Sequence, residues 1–299
     1  MVGARYDKEW YRGNHLFPCG GRVIVGPKWP GLFLTLGLLL LGLGVGVATC
    51  AWMMLEQGPP SAPRPYRELG IGLVVPFVLM WMLALAFLVR VSLTDPGVVR
   101  SSETEPPGMR ADGEQQGNRM RRLPVTIDGV LYKHRFCETC RIWRPLRCSH
   151  CAVCNACIDR FDHHCPWLAG CVGRRNYRHY VFFCFFTCMS CIIQMAIGIV
   201  QLTRPKCDES GDECLWLSWG VVTAILCVVE GGFFSMMTLS LVSYHTFLMW
   251  QNMTTKEHKQ QGREHPEPER GWPSVKSILF GRLPPSAFEP LQSQKQNNL

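Results

Sequence analysis

Apolar residues along this chain gather into four long blocks, separated by polar, charged or cysteine-rich stretches. The blocks run from about Gly31 to Leu55, Leu69 to Leu93, Tyr180 to Leu202 and Leu215 to Trp250. Each reaches the roughly 20 residues that a helix rising 1.5 Å per residue needs to cross about 30 Å of hydrocarbon. Buried helices of soluble proteins are also apolar all round, but rarely four times at this length. The pattern predicts an all-α membrane protein with four transmembrane helices. Gly37, Gly42, Gly44 and Gly46 in the first span predict close helix contacts, and Pro76 predicts a kink in the second. Cys184, Cys188 and Cys191 in the third read as small residues for helix packing or lipid contact. Glu230 falls near the middle of the fourth span, where a charge is costly. It reads as a protonated or hydrogen-bonded contact, with Gln194 at similar depth.

The blocks divide the chain into an N-terminal segment (1–30), a first pair of spans (31–93), a long loop (94–179), a second pair of spans (180–250) and a C-terminal segment (251–299). Thirty polar, mixed-charge residues precede the first span without a small-residue cleavage pattern, so no removable signal peptide is expected. Charge sets the orientation. Lys and Arg number 5 in 1–30, 14 in 94–179 and 7 in 250–299, whereas the two remaining loops hold only Arg64 with Arg67 and Arg204 with Lys206. The positive-inside bias puts both termini and the long loop in the cytosol. In the second lumenal loop, Cys207 and Cys214 form either a disulfide or two free thiols. Residues 98–122 read as a mobile linker. Val125 to Tyr132 predicts a small hairpin turning at Asp128-Gly129, and from Gln292 the chain reads as a disordered tail.

Cytosolic cysteine clusters point to metal or catalysis rather than disulfides. The segment from Cys137 to Cys171 holds 8 cysteines and 3 histidines. Cys137-x-x-Cys140 and Cys151-x-x-Cys154 are zinc-knuckle signals, because a two-residue loop lets both thiolates reach one ion at about 2.3 Å. His150, Cys157, His164 and Cys171 complete two sites in one division, which leaves Cys148, His163 and Cys165 free. Spacing alone does not choose that division, and a purely stabilising zinc module fits it equally. The surplus is the informative part. Asp162-His163-His164-Cys165 sets a carboxylate, an imidazole and a thiol side by side, the groups that covalent catalysis requires.

Cys137-x-x-Cys140, His150-Cys151-x-x-Cys154-x-x-Cys157, Asp162-His163-His164-Cys165-Pro166-Trp167 and Cys171-Val172-Gly173 together resemble the DHHC protein S-acyltransferases (palmitoyltransferases). Asp95-Pro96-Gly97, Asn176-Tyr177 and Thr254-Thr255-Lys256-Glu257 follow in the family's order, so the resemblance covers roughly residues 15–285. Cys19-Gly20-Gly21-Arg22 is similar to plant and protist members. Two features depart: Gly170 stands where the family usually has Asn, and Gly271-Trp272-Pro273-Ser274-Val275-Lys276 lacks the Asn of the family's C-terminal motif. The resemblance implies a cytosolic Cys-rich double-zinc module of short β-hairpins, at about 135–179, between the second and third spans. It implies one structural Zn²⁺ on Cys137, Cys140, His150 and Cys157, and another on Cys151, Cys154, His164 and Cys171. It further implies Cys165 as nucleophile, His163 as its base, Asp162 orienting the imidazole, and Thr255 bonding Asp162. Helix capping is the alternative role for Thr254 and Thr255. The implied reaction moves a long-chain acyl group from acyl-CoA (palmitoyl-CoA) to membrane-proximal protein cysteines, in a ping-pong cycle through Cys165.

Arg135, Arg141, Arg144, Arg147, Arg174, Arg175 and Arg178 make a basic field that suits CoA phosphates, with Arg174, Arg175 and Arg178 the candidates for contact, and anionic headgroups of the lipid bilayer would use the same charges. The anchored context argues against nucleic acid. Cys148 reads as a bystander or a minor acylation site. Two rival classes remain: a non-enzymatic zinc-knuckle scaffold, and a membrane-anchored ubiquitin ligase, against which the Asp162-His163 pair and the unliganded thiol argue. An endomembrane location is expected, the Golgi before the endoplasmic reticulum or plasma membrane. Protein substrates, acyl length, oligomeric state and any accessory subunit are not fixed by the sequence.

Overall fold

The computed structural model describes residues 10–21, 23–55, 65–102, 122–127, 130–203, 219–260 and 269–288. Arg22, the 103–121 part of the expected linker, Asp128-Gly129, Cys207, Cys214 and the tail from Gln292 lie outside the described residues. A single helical turn, α1 (Pro18–Gly21), precedes α2 (Trp29–Leu55) and α3 (Pro65–Leu93), and α4 (Tyr177–Leu202) and α5 (Trp219–Trp250) follow the loop. Four of these helices offer apolar stretches of 27, 26, 26 and 32 residues, long enough to cross a bilayer. The chain is an integral membrane protein. Short helices α6 (Thr255–Lys259) and α7 (Trp272–Phe280) follow.

The chain divides into two compact units. One comprises Phe33–Val89 and Val181–His245, the bodies of the four long helices. Gly42 and Gly46, one turn apart, face Trp81 and Phe77, whose ring atoms would lie 2.9 and 2.2 Å from an added Cβ. An added Cβ on Gly37 or Gly44 meets nothing within 4 Å among the described residues, because 100° per residue turns them off that face, so only half of the expected glycine contacts form there. Pro76 lies inside α3. Cys184, Cys188 and Cys191 are buried, which assigns them to packing rather than lipid contact. Gln194 Nε2 donates to Glu230 Oε2 at 3.1 Å, giving the mid-span carboxyl group its polar partner.

The other unit comprises Met1–Leu32, Arg90–Tyr180 and Thr246–Leu299. Its strands are short because zinc-knuckle turns interrupt them. β1 (Arg122–Ile127), β2 (Val130–Cys137) and β3 (Ile142–Trp143) form one antiparallel sheet. β4 (Ser149–Cys151) pairs with β5 (Ala156–Ile158), and β6 (His163–Cys165) with β7 (Gly170–Val172). The first hairpin is longer than the Val125 to Tyr132 stretch expected, with Ile127 opposite Val130.

Asp95-Pro96-Gly97 anchors this unit. Asp95 Oδ1 accepts the N–H groups of Gly97 and Val98, each at 2.9 Å, a turn closed by an Asp side chain. Gly97 has φ 104°, a conformation that an L side chain resists. The turn then meets the end of β5, where Asp159 N–H, one residue beyond the strand, donates to Gly97 O at 2.7 Å. Asp95 Oδ2 accepts from Ser286 Oγ and lies 3.4 Å from Arg175 Nε. Two residues on, Phe288 is fully buried and stacks on Trp10 at 5.0 Å, in a core with Ile24, Val98 and Ile158. Asn176 Nδ2 donates to Val91 O at 3.2 Å and Cys171 O at 2.9 Å, tying the start of α4 to β7 and the end of α3.

Candidate active site and metal clusters

Two four-donor clusters form around the hairpins, Cys137, Cys140, His150 and Cys157, and Cys151, Cys154, His164 and Cys171, with the ligand atoms of each within 4.8 Å of one another. For Zn–S about 2.3 Å and Zn–N about 2.0 Å, a tetrahedron has S···N edges of roughly 3.5 Å. In the first cluster His150 Nδ1 lies 3.5, 3.4 and 3.9 Å from the sulfurs of Cys137, Cys140 and Cys157. In the second His164 Nδ1 lies 3.6, 3.5 and 3.5 Å from those of Cys151, Cys154 and Cys171. Contacts with neighbouring sulfurs, then burial, push the Cys140 and Cys171 thiols far above the ordinary thiol range. A divalent cation relieves that crowding by holding the sulfurs as thiolates. The donor sets fit zinc.

The clusters are copies of one pattern. Each ligand of the second lies 14 residues after its counterpart: Cys137 and Cys151, Cys140 and Cys154, His150 and His164, Cys157 and Cys171. The backbone repeats with them. Cys137 pairs with Ile142, Cys151 with Ala156 and Cys165 with Gly170. Arg141, Asn155 and Ala169 all take left-handed φ, at 52°, 50° and 64°. Cys165 is therefore the first residue of a third knuckle turn, in which Leu168 occupies the place of the second cysteine. Cys165 belongs to neither four-donor cluster.

Around Cys165 the third copy carries different chemistry. His163 Nδ1 lies 2.6 Å from Asp162 Oδ2, and Cys165, two residues on in β6, falls on the same face of the strand as the imidazole. Asp162 is only 2% exposed and also accepts two hydrogen bonds from Thr255, N–H to Oδ1 and Oγ1 to Oδ2, both at 2.8 Å. Burial alone would lower the His163 pKa. The Asp162 and Cys165 hydrogen bonds, and the charges behind them, outweigh it and raise the value to about 9. A base of that strength suits a thiol, whose ordinary pKa is about 8.5. Tyr180 packs edge-on against the imidazole, ring centroids 5.3 Å apart.

Thr255 reaches Asp162 because α6 is docked at three consecutive residues. Thr254 caps the helix: its Oγ1 accepts the Glu257 N–H at 3.2 Å and its N–H donates to Glu257 Oε2 at 2.8 Å, a reciprocal capping box. Capping and the Asp162 contact therefore coexist in neighbouring threonines. Lys256 Nζ donates to Ser149 Oγ. Glu257 receives a two-pronged hydrogen bond from Arg147, Nε to Oε1 at 2.7 Å and Nη2 to Oε2 at 2.8 Å. Arg147 also bonds Asn252 through Oδ1 and the main-chain oxygen. Sequence reasoning missed this arginine as anything but part of a basic field. The Glu three residues after Thr254 was the available signal for the cap, and the repeated Cys-x-x-Cys-x9-His-x6-Cys spacing was the signal for the third knuckle.

The other arginines are partly committed. Arg174 is half-exposed and pairs with Asp159 at 3.2 Å. Arg175 donates to Pro284 O besides facing Asp95, and Arg178 Nη1 donates to Gly281 O at 3.2 Å. Gly170, the departure beside Cys171, opposes Gly26 with ordinary clearance for a Cβ, 3.5 Å. The β6–β7 ladder forms in its presence.

Residues 131–262 match the family model described as DHHC palmitoyltransferase. Over 306 residues the chain is 31% identical to Probable protein S-acyltransferase 3 of Arabidopsis thaliana, covering 95% of this chain and 70% of that one. It is 30% identical to Protein S-acyltransferase 8 of the same plant, over 93% of this chain and 67% of the relative. Palmitoyltransferase ZDHHC18 of Homo sapiens is 29% identical over 96% of this chain and 75% of its own. A match of this extent, over a chain that sets Cys165 outside both donor clusters beside His163 and Asp162, places it by descent: it belongs to the DHHC family of protein S-palmitoyltransferases.

Proposed function

We propose that this chain transfers a long-chain acyl group from acyl-CoA to cysteine thiols of proteins, through a thioester on Cys165. The observation that carries the reading is a buried Asp162 carboxylate held against His163 at 2.6 Å, with Cys165, a sulfur outside both four-donor clusters, on the same face of β6 as the imidazole. Asp162 fixes the ring with Nδ1 toward the carboxylate, which leaves Nε2 to exchange a proton with the sulfur. His163 takes the Cys165 proton, and the thiolate attacks the thioester carbonyl. The carbon–sulfur bond to CoA then breaks, and the imidazolium returns its proton to the departing CoA sulfur. In the second half the substrate thiol gives its proton to His163, attacks the acyl–Cys165 carbonyl, and Cys165 leaves. Zinc, when bound, supplies closed four-ligand cross-links with no open position for water or substrate.

The acyl chain favours hydrocarbon by about 0.8 kcal/mol per methylene, which suits a nucleophile carried on a loop between membrane-length helices. We assign CoA phosphate contacts to Arg174, Arg175 and Arg178, with Arg174 the most available because its side chain is half-exposed. The surplus of Lys and Arg in residues 94–179 supports a cytosolic active site. Palmitoyl-CoA added to the purified chain without acceptor should release a burst of CoA of one equivalent at most. A thiol peptide added afterwards should take the label from the enzyme without fresh donor. Transfer that requires donor and acceptor together would overturn the two-step scheme.

A further inference from the structure

The first zinc cluster holds one sulfur more than a tetrahedral site uses. Cys148 lies in the same buried cluster as the ligand cysteines Cys137, Cys140 and Cys157. Local backbone geometry puts it there. Arg147 takes φ 65°, and Cys148 N–H donates to Pro145 O at 3.0 Å, closing a turn just before β4. His150 pairs across the hairpin with Cys157. Side chains alternate along an extended chain, so Cys148, two residues before His150, falls on the face that carries both ligands. The second cluster has no counterpart. The place 14 residues on is Asp162, and among the described residues the buried core around that cluster holds no cysteine beyond its three ligands, Cys151, Cys154 and Cys171.

We propose that Cys148 and Cys157 are a peroxide-sensitive thiol pair, whose oxidation to a disulfide releases the zinc of the first cluster and switches the enzyme off. The inference rests on the reading of Cys157 as a zinc ligand. The oxidant is hydrogen peroxide. One sulfur attacks a peroxide oxygen, the O–O bond breaks, and a sulfenic acid and water form. The other thiol attacks the sulfenic sulfur, the S–O bond breaks, and its proton leaves with the oxygen as a second water. The two sulfurs give up two electrons and the peroxide accepts them. A disulfide sulfur is a poor zinc ligand, so the ion keeps three donors of four and dissociates. The consequence reaches the active site through the fold: the first cluster holds the β2–β3 knuckle to the β4–β5 hairpin, and the turn between them carries Arg147, which fixes Glu257 and so Thr255.

The test uses the purified full chain, its zinc counted before and during exposure to hydrogen peroxide by a chromophoric chelator, with disulfides mapped by peptide mass spectrometry. Two zinc ions per chain are expected at the start. Peroxide should then free one, together with a Cys148–Cys157 cross-link, and thiol reductant plus zinc should restore both. Cys148→Ser and Cys148→Ala should start with two ions and release the first several-fold more slowly. Release at the wild-type rate from both variants, or release without that cross-link, overturns the proposal. A chain purified with no zinc in its first cluster would instead overturn the ligand assignment beneath it.

Discussion

Cys151 and Cys165 occupy the same place in successive copies of one 14-residue pattern, and their environments are opposite. Cys151 opens a knuckle whose second cysteine, Cys154, lies beside it with His164 and Cys171. Cys165 opens a turn of the same backbone shape, with the same left-handed residue at its tip, but Leu168 replaces the second sulfur. The residues before the shared histidine differ as well, Cys148-Ser149 in one copy and Asp162-His163 in the next. One missing sulfur and two replaced side chains separate a metal ligand from a thiol beside a base. Under the proposed function, the comparison explains how a nucleophilic cysteine would be positioned without joining a cluster: the two four-donor copies flank the third, which keeps the backbone turn of a knuckle without its donor set.

The widest separation between the copies comes from the paired replacements Cys151→Ala and Cys165→Ala. The first should lose the second zinc and much of the module's stability, since structural zinc contributes on the order of 10 kcal/mol in small domains. The second should keep both ions and its thermal midpoint but form no acyl-enzyme. Metal analysis, thermal unfolding and acyl labelling read all three properties. Next, Asp162→Asn keeps the shape of the third copy but removes the charge that holds His163. Acyl-enzyme formation should slow by roughly 10³- to 10⁴-fold, as when the carboxylate of a catalytic triad is neutralised, with zinc content unchanged. Pre-steady-state labelling would measure it.

Arg147→Ala acts on the brace between the copies and α6. It strands a mostly buried Glu257 carboxylate, which should cost roughly 3–5 kcal/mol in chemical denaturation. The smallest effect belongs to Thr255→Ala, which keeps the N–H bond to Asp162 and loses the hydroxyl bond. About 1 kcal/mol, or about fivefold in acylation rate, is expected, with Thr255→Ser near wild type.

The long helices were legible because a membrane span is written in consecutive apolar residues, and α2 and α4 begin only two and three residues before the apolar blocks suggested. The two donor sets were legible once the resemblance chose among competing spacings. Arg147 with Glu257 was not, because the partners stand 110 residues apart and each belongs to a stretch with its own local reading, a basic field and a helix cap. The glycine stripe of α2 was half legible, since composition does not say which face of a helix meets a neighbour. The repeat was present in the sequence but obscured by interleaving: Cys151 and Cys154 of the second copy fall between His150 and Cys157 of the first.

The most direct test is to treat the zinc-replete chain with palmitoyl-CoA, quench it, and locate the acyl group by peptide mass spectrometry while counting the metal. A single thioester on Cys165, with two zinc ions still bound, is the predicted result. An acyl group on any other cysteine, or a third metal ion held by Cys165 in the active chain, would contradict the account.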